Sequence, residues 1–175
     1  LIAFDNGPGM CLLDDYVERN SNRKFDKDGK YSSQGSINNK ILKKVMRNKY
    51  FKKEYPKSID RNYFTLIDFK NLDFYDACAT ISMFTVKAII SGIDKINKNY
   101  ESIYIMGGGS KNLFILQELS KIIQKDVKSI NTRGLKDLYI ESQAFAYLAV
   151  RSILNFPISY PKTTGVKKPT TGGKS

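Results

Sequence analysis

Ser102-Ile103-Tyr104-Ile105-Met106-Gly107-Gly108-Gly109-Ser110-Lys111-Asn112 runs from an apolar stretch through three glycines into a segment of helical spacing. That segment carries Leu113, Leu116, Leu119, Ile122 and Ile123 on one face and extends to about Ile123. A buried strand over 102–106, a glycine turn and a helix capped by Ser110 are therefore expected. A further strand near Val127 to Ile130 completes a strand–helix–strand unit, which makes the fold class α/β.

Reading outward, Asp73 to Lys95 is the longest expected helix, and Ile37 to Tyr50 and Met10 to Arg19 are two shorter ones. Leu1 to Phe4 reads as a strand closed by the turn Asn6-Gly7-Pro8-Gly9. Asn20 to Gly35 is polar around the turn Asp26-Lys27-Asp28-Gly29, and Pro56 keeps Tyr55 out of helix. Beyond a loop over 132–138, a last helix spans Ile140 to Leu154 with Phe145, Leu148, Ala149 and Ile153 on its apolar side. From Pro157 the tail looks irregular, so the folded unit is expected over 1–156 and the tail over 157–175. The chain begins at Leu1, inside a strand-like run, and so reads as a piece of something longer.

The 175 residues suit one domain and can bury a core without staples. Two cysteines, Cys11 and Cys78, are too few for a disulfide framework. Histidine is absent, which excludes Ser-His-Asp and Cys-His catalysis and His-ligated zinc, and no metal-ligand spacing is present. The net charge of +12 comes from 23 Lys and 6 Arg against 17 acids. Such a lysine excess reads as solvated surface; a nucleic-acid face would recruit more arginine, so no nucleic-acid partner is expected. The most apolar run, Ala77 to Ile93, is interrupted by Lys87 and reads as a buried helix, so a cytoplasmic protein without a membrane partner is expected.

Two glycine turns and one glutamate are the candidates for chemistry. Asp5 stands at the carboxyl end of a strand, entering a turn whose Gly7 and Gly9 let backbone N–H groups close on phosphate oxygens. It reads equally as a general base and as an aspartate that merely closes the turn. Gly107, Gly108 and Gly109, before a helix N-terminus, make a docking point for a phosphate or nucleotide, although such turns also occur without ligands. Glu141 lies in the first turn of the last helix, where the helix dipole alone would favour it. Gly172-Gly173-Lys174-Ser175 imitates the end of a P-loop, but Lys168 occupies the place of the required first glycine and no strand precedes it.

In this order the pieces resemble the anhydro-N-acetylmuramic acid kinase family of the hexokinase/actin-type ATPase superfamily. Phe4 to Gly9 resembles its FDTGPGN segment; Tyr50-Phe51 with Pro56 to Phe64 is similar to its PYF…PKSxxRxxF stretch. Asp76 to Thr80 with Phe84-Thr85 is similar to the start of its long helix, and Gly107 to Asn112 to its GGGxxN loop. Glu141 to Ala149 resembles its EAxAFAWLA helix, and Thr164-Gly165 its closing TG.

The resemblance covers nearly the whole chain but only the family's C-terminal half. It implies a ribonuclease-H-like lobe of an actin-type ATPase, with a mixed sheet and flanking helices. It implies a cell-wall-recycling transferase that opens the 1,6-anhydro ring of anhydro-N-acetylmuramic acid with water and phosphorylates O6 using ATP and Mg²⁺. Asp5 falls on the family's catalytic base and Glu141 on a glutamate near the sugar. Gly7 and Gly9 fall on a phosphate-facing turn, and Gly107, Gly108, Gly109 and Asn112 on the loop that meets the nucleotide. Implied partners are the anhydrosugar, the N-terminal lobe and a second copy in a homodimer.

The family's GTSxDGxD phosphate loop is absent; Asn6 stands where the family has Thr, and Met10 where it has Asn. An isolated lobe cannot close a cleft around ATP, so the chain alone is expected to be inactive. A non-catalytic remnant of the kinase and, far behind, a basic nucleic-acid-binding module on the Lys40 to Lys57 face are the alternatives.

Overall fold

The structure is a computed structural model and describes residues 1–65, 67–96 and 99–173. Its centre is one helix, α3 (Phe74–Ile96), with twelve buried residues from Ala77 to Gly92. Among the described residues it is the single helix long and apolar enough to cross a membrane, and 67% of its most apolar window is buried within the fold. Helices α1 (Cys11–Asn20), α2 (Asn39–Met46) and α4 (Leu113–Ile123) pack around it. Tyr50, Phe51, Phe64 and Phe84 interlock edge-to-face and stacked at ring separations of 5.2–6.2 Å, a geometry that adds to simple burial.

The turn at Asp26 is nailed to α3. The buried Asp26 carboxylate accepts from the backbone N–H groups of Tyr31 and Ser32 and from the Ser32 hydroxyl, which also meets Ser82 of α3 at 2.7 Å. The expected helix from Ile37 stops at Met46, because Asn48 caps a separate 3-10 turn over Lys49–Lys52. The basic side chains of this segment, Lys40, Lys43, Lys44, Arg47, Lys49, Lys52 and Lys53, are all exposed.

Strand β1 (Ser102–Ile105), α4 and strand β2 (Asp126–Ser129) form the expected strand–helix–strand unit. The two strands pair in parallel, Ser102 with Asp126 through Ile105 with Ser129. Two expectations are corrected. Leu1 to Phe4 is not a strand: with no strand beside it, the Ala3 N–H donates to the Lys162 carbonyl in the tail and the Asp5 N–H to the Lys57 carbonyl of a loop. The sheet among the described residues is therefore two-stranded and parallel, not mixed.

The last helix, α5 (Ile140–Ile153), forms as expected, yet none of its residues is buried, including the apolar side expected to face a core. After it, the tail carries a short helix α6 (Pro161–Thr164) and an antiparallel bridge between Ser159 and Thr170. Arg151 of α5 ties the tail down by donating to the Pro157 carbonyl and the Tyr160 hydroxyl.

Candidate active site

The turn from Asp5 to Met10 is held against one face of α3. Thr85 donates its hydroxyl to the Gly9 carbonyl at 2.7 Å. One helical turn on, a Cβ on Gly7 would lie 2.6 Å from the Cβ of Ala88, so only glycine lets the backbone approach this closely. A turn further, the Asn6 side chain fills the space above Gly92. Gly9 has φ of +58° and open space where a Cβ would stand. Gly7 thus serves packing, while Gly9 presents bare backbone to the exterior.

Asp5 leaves this turn from the opposite side. Its carbonyl accepts from the Tyr50 hydroxyl at 2.7 Å, and its Oδ2 accepts from the Ile59 N–H at 2.9 Å. Among the described residues the other carboxylate oxygen has no hydrogen-bond partner, and the side chain is exposed. One oxygen orients the group and the other is open, an arrangement suited to accepting a proton. Lys57 lies beside it, its ammonium 4.4 Å from the centre of the Tyr50 ring; burial lowers its pKa. Burial first, then the charge of Asp5, pushes the Tyr50 phenol up to about 12, so it remains a donor.

The second glycine turn follows β1. Gly107 has φ of +71°, and neither it nor Gly108 has any neighbour where a side chain would be. A Cβ on Gly109 would touch Met10 at 3.7 Å, so the two glycine turns meet there. The cap of α4 is Asn112 and not Ser110: the Asn112 Oδ1 accepts from the Ile115 N–H, as an amide oxygen at this position does well. Ser110 sits instead in a 3-10 turn, its single hydroxyl proton within reach of both the Gly107 carbonyl and the Asp137 carboxylate.

Two cavities flank this loop. One, of about 570 Å³, lies between Met106, Gly107, Gly108 and Lys111 on one side and Asp137, Ile140, Glu141 and Ala144 on the other. The second, of about 430 Å³, is bounded by Met10, Asp14, Gly108, Lys111 and Asn112 together with the 25–28 turn. Two buried polar atoms on its wall, Asp14 Oδ1 and Asn112 Nδ2, have no hydrogen-bond partner among the described residues. Burial first, then the Asp15 carboxylate, pushes the Asp14 carboxyl up to about 6.

The family model for anhydro-N-acetylmuramic acid kinase matches residues 1–175, the full length of the chain. The chain belongs to that family. Relatives named anhydro-N-acetylmuramic acid kinase include those of Phenylobacterium zucineum, 37% identical over 172 residues, and Rhodopseudomonas palustris, 38% identical over 174. Another, from Zymomonas mobilis, is 34% identical over 174 residues. These matches take in 98–99% of this chain and 47–48% of each relative. The chain spans about half the length of the kinase-family proteins it matches.

Of the expected site residues, Gly107, Gly108 and Glu141 share the larger cavity, and Gly108 shares the smaller one with Asn112. Gly109 meets the Asp5 turn through Met10. Asp5 lines neither cavity; its backbone N–H and carboxylate are tied to the loop at 57–59 instead. Sequence reasoning missed Lys111, Asp137 and Asp14. Lys111 follows the glycines directly, a usable signal, whereas the two aspartates reach the cavities only through tertiary folding. Of the P-loop imitation, Lys174 and Ser175 lie outside the described residues. Among the described residues no cluster of three or more acids, cysteines or histidines could hold a metal ion.

Proposed function

We propose that this chain is the C-terminal, ribonuclease-H-like lobe of an anhydro-N-acetylmuramic acid kinase and acts together with the family's N-terminal lobe. The observation that carries the reading is the Asp5 carboxylate, fixed through one oxygen by the Ile59 N–H and open at the other. Asp5 takes a proton from a water as that water's oxygen bonds to the anomeric carbon of the 1,6-anhydro sugar. The bond from that carbon to O6 breaks, and O6 receives the γ-phosphoryl group, giving N-acetylmuramic acid 6-phosphate for cell-wall recycling. ATP supplies the phosphoryl group, its bond from the γ-phosphorus to the bridging oxygen breaking so that ADP leaves, and Mg²⁺ carried on the nucleotide would neutralise charge.

The open backbone at Gly9, Gly107 and Gly108, with Lys111 beside it, fits a phosphate-bearing ligand, and the unpartnered Asn112 amide offers a donor. Glu141 faces the same cavity as the loop and would touch the ligand held there. Among the described residues no group of three or more acids, cysteines or histidines would hold Mg²⁺, which would arrive on the nucleotide.

The test is a reaction with anhydro-N-acetylmuramic acid and Mg-ATP, read by the mass of the sugar. The chain is run alone and co-expressed with the stretch of the Phenylobacterium zucineum relative that it does not match. Product, gaining one water and one phosphoryl group, is expected only from the pair. Asp5→Asn should lower its rate by about 10²–10⁴-fold. Product from the isolated chain at the full rate would refute the two-lobe requirement.

A second reading, a non-catalytic remnant, is favoured by Met10. The family has Asn there, and an amide at this place could pair with the Asp14 and Asn112 atoms that a thioether leaves without partners. No product from the pair, or a rate indifferent to Asp5→Asn, would establish it.

A further inference from the structure

Of the eight lysines and arginines from Lys40 to Lys57, seven are exposed and Lys57 is half-buried. Its ammonium lies over two rings, 4.4 Å from the centre of Tyr50 and 5.7 Å from that of Phe4. It also donates to the Tyr50 carbonyl at 3.3 Å. None of the ion pairs among the described residues includes it, and Glu54 is taken by Lys95 at 2.9 Å. Ring faces and a carbonyl therefore hold this cation, a setting in which partial desolvation strengthens the attraction.

These contacts close a ring of three residues. The Asp5 N–H donates to the Lys57 carbonyl at 3.1 Å, the Lys57 ammonium to the Tyr50 carbonyl, and the Tyr50 hydroxyl to the Asp5 carbonyl at 2.7 Å. Two residues beyond Lys57, the Ile59 N–H reaches Asp5 Oδ2 at 2.9 Å. Residues 57–60 belong to neither helix nor strand, so no ladder fixes the path of this loop. Ile59 rests its side chain on the core, and Lys57 anchors the end of the loop that meets Asp5.

We propose that Lys57 is a positioning residue for the Asp5 carboxylate: its ammonium pins the 57–59 loop to Tyr50 and Phe4, and so aims the Ile59 N–H that orients Asp5 Oδ2. Lys57 acts through Asp5 and not on the sugar. A proton acceptor displaced by a fraction of an ångström loses rate without losing substrate, so the loss falls on kcat and leaves KM in place. The proposal rests on reading Asp5 as the base of a kinase of the family.

Two measurements test it, the first on the chain alone. An amide proton bonded to a carboxylate shifts as that carboxylate ionises, so the Ile59 amide resonance should move during an acid titration of the natural chain. In Lys57→Met, which keeps the stem and removes the charge, that movement should be lost and Ile59 should exchange its proton faster, with the amides of α3 unchanged. Asp5→Asn, as the control, should abolish the movement in the natural background. The second measurement is made on the pair with the unmatched stretch of the Phenylobacterium zucineum relative. There Lys57→Met should lower kcat by about tenfold or more, with KM for sugar and for ATP unchanged. Lys57→Arg, which keeps a cation able to stack on the rings, should recover most of the rate. An Ile59 amide that behaves in Lys57→Met as in the natural chain overturns the proposal, as does loosening of α3 to the same degree, which would make the role structural throughout. Product formed at a rate indifferent to Lys57→Met would sink the proposal and leave the kinase reading standing. With no product from the natural pair the kinase reading falls, and the Ile59 amide still decides whether Lys57 orients Asp5.

Discussion

Helices α3 and α5 are both largely apolar, and both lie where the sequence pattern places them, but they meet opposite fates. Twelve residues of α3 are buried under three other helices and an aromatic cluster; no residue of α5 is buried. Four charged residues interrupt α3 and only two interrupt α5, so composition does not explain the difference. Neighbours do. The first half of the chain wraps its own central helix, whereas in the second half the apolar side chains of α5 stay exposed among the described residues.

The contrast can be broken at its strong end. Phe84 is fully buried and packs edge-to-face on Phe51 and Phe64. Phe84→Ala should cost about 3–5 kcal/mol in urea unfolding, and a loss below about 1 kcal/mol would mean that α3 is not the structural centre. A smaller effect is expected where α1 meets the glycine loop. Folded chain keeps a proton on Asp14 up to about pH 6, while an unfolded one loses it near the ordinary value of 3.8. Between those pH values the folded state binds more protons, so this group's contribution to stability falls as pH rises, and below pH 3.8 the difference vanishes. Asp14→Asn should therefore gain on the natural chain across that window and stay ahead above it, by about 1–2 kcal/mol after allowing for solvent screening. Unfolding curves of the two proteins from pH 4 to 8 decide it; parallel pH profiles would contradict it. At the weak end, Ile153→Ser in the isolated chain should change stability by less than about 0.5 kcal/mol, because the side chain touches no core. A loss of the size expected at Phe84 would show that α5 is packed after all.

Where apolar periodicity and burial coincide, the fold was legible: α1, α3, α4, and the pair β1 and β2 fall within about a residue or two of expectation. Leu1 to Phe4 has strand composition but no ladder, since a strand exists only through a neighbour and none among the described residues reaches it. Capping failed for a local reason. Ser110 and Asn112 are both good caps, and spacing alone does not reveal that a 3-10 turn consumes the first of them. Within the site, the glycines were readable because their backbone role is written in their identity. Asp14 and Asp137 were not, since nothing local marks an acid that tertiary folding carries to a cavity wall. The partition of Gly7 to packing and Gly9 to open space is likewise invisible until Ala88 is seen beside the first.

The Asp5 turn lies along Thr85, Ala88 and Gly92 of α3 as a key lies along its wards. Asn6 occupies room that exists only because residue 92 has no side chain. Turn and helix therefore form one heritable unit although 86 positions separate Asn6 from Gly92. A chimera that imports a relative's turn must import the matching helix face with it, and a residue change at 92 is in effect a change at the Asp5 turn.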